Sequence, residues 1–109
     1  MVFKLISKPE FSKDRALKSQ ANRSSGSIMD NIAEGFDRGE NKEFIHFLSI
    51  SRASCGELRS QLYRAFDRNY ITKSEFETAV EKSKGISGKL TNFIKYLKQT
   101  DNKGLKFQK

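Results

Sequence analysis

This chain has no tryptophan, one cysteine, one proline and one histidine among its 109 residues, and each scarcity excludes something. A single cysteine, Cys55, cannot build an internal disulfide framework, which fits a reducing compartment. The lone His46 has no cluster of further ligands at metal-binding spacing. Cys55 lies nine residues on, about two and a half helical turns away, too far to share an ion with it. Nor does a nucleophilic Cys–His pair fit, because Cys55 falls on an apolar stripe, where free cysteine packs as a small hydrophobe. No apolar run approaches ~18 residues, so no membrane span is expected. The apolar core of the opening MVFKLISKPEF is too short for a secretory signal, and a cytoplasmic location is the expectation. Asn-Gly and Asp-Gly hairpin turns and sustained period-two alternation are also absent, which leaves little room for strands.

What is present is helical periodicity. Met1 to Ile6 reads as a short helix, closed off by Pro9. A second helix starts near Ser12 or Asp14 and runs towards Phe36, with Leu17, Ala21, Ser24/Ser25, Ile28, Ile32 and Phe36 on its apolar or small face. Gly35 and Gly39 supply the permissive backbone expected to stop it. The third helix runs from about Lys42 to Asn69 behind Asn41 as N-cap, with Phe44, Phe47/Leu48, Ser51, Cys55, Leu58, Leu62 and Ala65/Phe66 in one stripe. Thr72 and Glu75 form a capping box for the fourth, in which each side chain satisfies a free backbone N–H at the helix start. That helix extends to about Lys98, with Phe76, Ala79/Val80, Ile86, Leu90, Phe93/Ile94 and Leu97 inward. Short connections between long helices force antiparallel neighbours. The expected fold is therefore all-α: an antiparallel up-and-down four-helix bundle over residues 1–98 with a short first helix, then a flexible basic tail, 99–109. A domain this small buries a modest fraction of its surface, so oligomerisation would help it.

The formal charge is +8, unevenly placed. Residues 1–81 hold 13 Lys/Arg and 12 Asp/Glu, whereas residues 82–109 hold eight Lys against Asp101 alone. Such asymmetry suits an anionic partner, of which nucleic acid is the commonest, or a solvated face that keeps the protein soluble. Lys84, Lys95 and Lys98, with Lys103, Lys106 and Lys109 beyond, could follow a phosphate backbone. Tyr96 and Phe107 could stack on bases, or Tyr96 could pack in the bundle. Arg52 and Arg59, seven apart and so on similar faces, could grip phosphate, line a pore, or pair with Glu34, Asp37 or Glu40 of a neighbouring subunit. Ser24-Ser25-Gly26-Ser27 is not a phosphate loop, lacking the Gly-Lys-Ser/Thr ending and a preceding strand; small residues there allow close helix approach. Asn31 and Glu34 share a helix face near Ile28, Ile32 and Phe36, an arrangement that suits structural or cross-chain hydrogen bonds, and no partner acid or histidine marks a catalytic pair.

Several motifs occur together in order. Asn31-Ile32-Ala33-Glu34-Gly35-Phe36 is followed by Lys42-Glu43-Phe44-Ile45, Phe47-Leu48, then Ser54 with Glu57 and Leu58, and Tyr70-Ile71 with Glu75. This set resembles the 23S rRNA intervening-sequence proteins, a bacterial four-helix-bundle family, from Val2 to Lys98. Two features depart from it: Met29 stands where many relatives carry a proline, and the first helix starts partway along. The resemblance implies a four-helix protomer in a ring-like homopentamer, with Asn31, Glu34, Gly35, Phe36, Ser54 and Glu57 as structural or interface positions. A related branch, accessory proteins of diversity-generating retroelements, is thought to bind nucleic acid and a reverse transcriptase. The expected function is thus a non-enzymatic homo-oligomer, without cofactor or metal, that binds RNA or DNA with low sequence specificity. The alternative is a scaffold or adaptor for a protein partner.

Overall fold

The computed structural model describes residues 1–102, and these form five helices: α1 (Val2–Ile6), α2 (Pro9–Lys13), α3 (Arg15–Arg38), α4 (Asn41–Asp67) and α5 (Lys73–Asn102). The expected all-helical bundle is what forms. Contacts of α3 with α4 run antiparallel, from Arg64 beside Gln20 to Ser51 beside Ile28. α5 runs antiparallel to α4, so that Asn41 at the start of α4 meets Leu97 and Thr100 near the end of α5. The body is a rod of 52 × 21 × 16 Å. Leu17, Ala21, Leu48, Cys55, Leu58, Leu62, Ala65, Leu90, Ile94 and Leu97 fill its centre.

The helix boundaries follow from the capping chemistry. Pro9 does not merely close α1; it opens α2, where its fixed φ suits the first turn and its missing N–H is not needed. Asp14 separates α2 from α3 and caps α3 by accepting from the Leu17 N–H at 3.1 Å. Gly39 ends α3 at φ 79°, a left-handed position that glycine takes without a steric penalty. Asn69 does the same after α4 at φ 61°, with the Tyr70 N–H returning to Ala65 O and the Asn69 N–H to Phe66 O. The Thr72–Glu75 capping box forms as read, with contacts of 2.8 and 3.1 Å. α5 continues to Asn102, past the expected stop at Lys98.

Two expectations are corrected. Gly35 does not stop α3, which passes through it to Arg38. A Cβ there would sit 2.8 Å from Phe47 Cβ and 2.9 Å from Phe44 Cδ1, so glycine is needed for the close approach of α4. Asn41 is not the N-cap of α4 either; Glu40 occupies that position. The Asn41 side chain is buried and donates to Leu97 O and Thr100 Oγ1, tying the start of α4 to the last turns of α5.

α1 and α2 pack on α3 in one half of the rod, placing Leu5, Ile6 and Phe11 in the core. That half is closed by a polar clasp. Arg68 Nη1 and the Tyr70 hydroxyl donate to Asp14 Oδ2 at 2.7 and 3.0 Å, and Lys8 Nζ reaches Glu75 Oε1 at 2.6 Å. The Leu17 N–H, then Tyr70 and Arg68, hold the Asp14 carboxyl below its ordinary range. Lys8 and Thr72 do the same for Glu75, and donation to Asp14 raises the Tyr70 phenol. In the other half no helix among the described residues lies over the seam between α3 and α5.

Candidate nucleic-acid interface and an apolar groove

Basic residues separated in sequence meet on one shoulder of the rod. Along α5, Lys84, Lys95 and Lys98 fall within about 60° of one another at 100° per residue, and all are exposed. Arg52 and Arg59 reach the same shoulder from α4. Arg52 Nη1 donates to Thr91 Oγ1 at 3.2 Å, and Arg59 Nη1 to Ser83 Oγ and Ser87 Oγ at 3.1 Å each. Ser83 Oγ in turn donates to Cys55 O, so the Arg59 side chain rests on a fixed polar ledge. Among the described residues these two arginines contact hydroxyls and pair with no carboxylate. The outcome is a strip about 21 Å long from Lys84 to Lys98, taking 1.5 Å per residue, with two arginines along its edge. Lys103, Lys106, Phe107 and Lys109 lie outside the described residues. The hydroxyls of Ser83, Ser87 and Thr91 that position the arginines had no signal in the sequence beyond helical spacing.

The motif residues of α3 and α4 form a different cluster. Asn31 Nδ2 donates to both Ser27 O and Ser27 Oγ at 2.8 Å, and Ser54 Oγ donates to Ser27 Oγ at 2.9 Å. Ser51, fully buried, donates to Ile28 O at 2.7 Å. Asn31 and Ser54 are thus joined through Ser27, and with Gly35 they let α3 and α4 approach closely. Glu34 pairs with Arg38 at 3.2 Å on the same helix. Glu57 borders a shallow polar recess with Gln20, Arg23 and Gln61. Phe36, expected inward, is 52% exposed and meets the Phe44 ring edge-on at 6.1 Å. Tyr96 is also exposed, stacked beside Phe93 at 6.4 Å. Cys55 is fully buried and His46 exposed against Phe47, and no three metal-ligating side chains cluster among the described residues.

On the opposite shoulder of α5 lies an apolar groove of about 510 Å³. Its walls are Met29 and Ile32 of α3 and Ile86, Leu90 and Phe93 of α5, and Met1 and Val2 close one end. Ile86 and Phe93, expected in the core, are 39% and 38% exposed and line this groove. No helix among the described residues is long and apolar enough to cross a membrane.

A family model described as 23S rRNA-intervening sequence protein matches residues 1–92. Among solved structures, the chain is similar to a protein of unknown function from the S23 ribosomal protein family of Bacteroides thetaiotaomicron VPI-5482. The TM-score is 0.78 and the identity 27%, over 85% of this chain and 84% of that one. No curated protein sequence matches the chain significantly.

Proposed function

The chain belongs to the 23S rRNA-intervening sequence protein family, and from that premise we propose that it is a non-enzymatic, cytoplasmic homo-oligomer that binds RNA or DNA with low sequence specificity. The observation that carries this reading is the convergence of Arg52, Arg59, Lys84, Lys95 and Lys98 on one shoulder, where the arginines' neighbours are hydroxyls. Positive groups in a line along a rigid rod neutralise successive phosphates and release their counterions, which needs no base-reading element. In a ring of five subunits the strip would recur around the assembly, so that weak single contacts add through avidity. The alternative reading, a scaffold for a protein partner, draws support from the apolar groove across α5.

The test is fluorescence anisotropy with a structured RNA and a matched DNA duplex across a salt series. It uses the full chain, a Lys84→Ala/Lys95→Ala/Lys98→Ala variant, an Arg52→Ala/Arg59→Ala variant, and a chain ending at Asn102. Binding that steepens as salt falls is expected, with the salt slope reduced by about one for each phosphate contact removed. Absence of binding at low salt, or binding untouched by both strip variants, would sink the proposal.

A further inference from the structure

We propose that Tyr63, backed by Phe76 and Phe66, is a stacking platform for an unpaired base, which makes single-stranded nucleic acid the substrate class of the basic strip. The inference deepens the nucleic-acid reading and rests on it.

The three rings meet where α4 enters its last turns and α5 begins. Phe76 stacks on Phe66 with centroids 4.6 Å apart and planes 13° from parallel. Tyr63 meets Phe76 edge-on at 4.8 Å. Phe66 and Phe76 are partly buried against the core, which fixes the pair, whereas Tyr63 is 55% exposed. A lone exposed ring would mean little. Here the three rings border one recess of about 430 Å³ together with Arg64 and Asp67. The ring's position along α4 ties it to the strip. Arg52, Arg59 and Tyr63 are spaced by seven and four residues, which at 100° per residue puts them within about 40° of one another. Tyr63 therefore continues the line of the two arginines, about 6 Å beyond Arg59 by helical rise. That step is roughly two nucleotides of a stacked strand at about 3.4 Å each. Across the seam, Phe76 precedes Ser83, a partner of Arg59, by seven residues on α5.

Charge changes at the same point. From Lys82 to Lys98 α5 holds no carboxylate, and the arginines of α4 border that stretch. Beyond Arg59, Asp67 lines the recess, and Glu77 and Glu81 stand exposed on the first turns of α5. Phosphate is repelled there, whereas an uncharged base is not. The strip thus suits the charged backbone of a strand, and the rings suit the base that the strand carries past its end. In a duplex both faces of each base are covered by its neighbours and only the edges are open, so a protein ring stacks on an unpaired base. Cations in line with an aromatic ring are the combination that holds single strands without reading their sequence. The face of a base is common to RNA and DNA, so Tyr63 serves both.

The test is fluorescence anisotropy of the full chain with fluorescein-labelled probes of about twelve nucleotides, enough to cover the roughly 33 Å from Phe76 to Lys98. The probes are an unstructured single strand as RNA and as DNA, the DNA strand with abasic sites in place of its bases, and the DNA duplex. Tyr63→Ala should weaken both single strands at least about fivefold, and Tyr63→Phe, which keeps the ring, should bind like the parent chain. The salt slope of Tyr63→Ala should equal the parent's, because stacking releases no counterions, whereas the Lys84→Ala/Lys95→Ala/Lys98→Ala variant should flatten it. The abasic strand and the duplex offer phosphates without free base faces, so each should bind the parent and Tyr63→Ala equally. The thermal melt should be unchanged at so exposed a position. Single-strand binding untouched by Tyr63→Ala, or an equal loss for the abasic strand, would overturn the platform; affinity still lost in the strip variants would then leave the nucleic-acid reading standing. Absence of binding to every probe at low salt would sink both. Self-association of the free chain that Tyr63→Ala abolishes would give the ring to a second copy and overturn the platform as well.

Discussion

The two halves of the rod are built on the same three long helices and differ in what lies over the seam between α3 and α5. In the closed half α1 and α2 bury Leu5, Ile6 and Phe11, and the Asp14–Arg68–Tyr70 and Lys8–Glu75 contacts clasp the edge. In the open half the apolar positions of the seam continue, yet Met29, Ile86 and Phe93 face solvent. The helical stripe does not distinguish the two halves; the packing of α1 and α2 on α3 does. One half is therefore committed to folding, and the other leaves apolar side chains of the same stripe in contact with solvent.

The sharpest way to test that contrast is to remove one large side chain from each half. Phe11→Ala, at a fully buried ring, should cost about 3–5 kcal/mol and lower Tm accordingly in a calorimetric or CD melt. Ile86→Ala, in the open half, should cost no more than about 0.5–1 kcal/mol. Equal losses would erase the distinction between the halves. Between these extremes lies Gly35→Ala, which forces a methyl against Phe44 and Phe47. A loss of about 1–3 kcal/mol in urea unfolding would show that the open half is tightly packed on its α3–α4 side even though its other side is bare. The smallest effect concerns the clasp. The folded pKa values of Asp14 and Glu75 lie below their unfolded values, so the native state binds fewer protons than the unfolded one as pH falls. The stabilisation is complete above about pH 4.5 and is lost as pH falls below about 4, towards the folded pKa values. Asp14→Asn keeps an acceptor for the Leu17 N–H but loses the charge, so its Tm should fall less steeply over that acid range. A curve parallel to that of the parent chain would remove Asp14 from the clasp.

The parts of this architecture legible in the sequence were those governed by local rules. The stripes of the long helices, the Thr72–Glu75 box, the left-handed Gly39 and the buried Cys55 all depend on spacing or on backbone chemistry within a few residues. Gly35 was misread because a glycine near a helix end has two uses, and only the packing of Phe44 and Phe47 shows that here it makes room. Asn41 was misread in the same way: its partners, Leu97 and Thr100, are more than fifty residues away. Ile86 and Phe93 were placed in the core because periodicity reports which face is apolar, not whether anything covers it. Of the candidate site, the basic residues were visible but their convergence was not. The link from Arg52 and Arg59 to Thr91, Ser83 and Ser87 exists only once α4 and α5 are antiparallel.

The clasp also sets an order of events. Its partners are 54 to 67 residues apart in the chain, whereas α3, α4 and α5 are joined by tight turns of a few residues. α1 and α2 are five residues each and are held at one edge by these distant contacts, so they are expected to be the first to detach. Backbone amides of Leu5 and Ile6 will then exchange with solvent sooner than those of Leu58 or Leu62, although all four side chains are buried. Each departure of α1 also uncovers Leu5 and Ile6, so the apolar surface open to solvent grows by the footprint of one short helix.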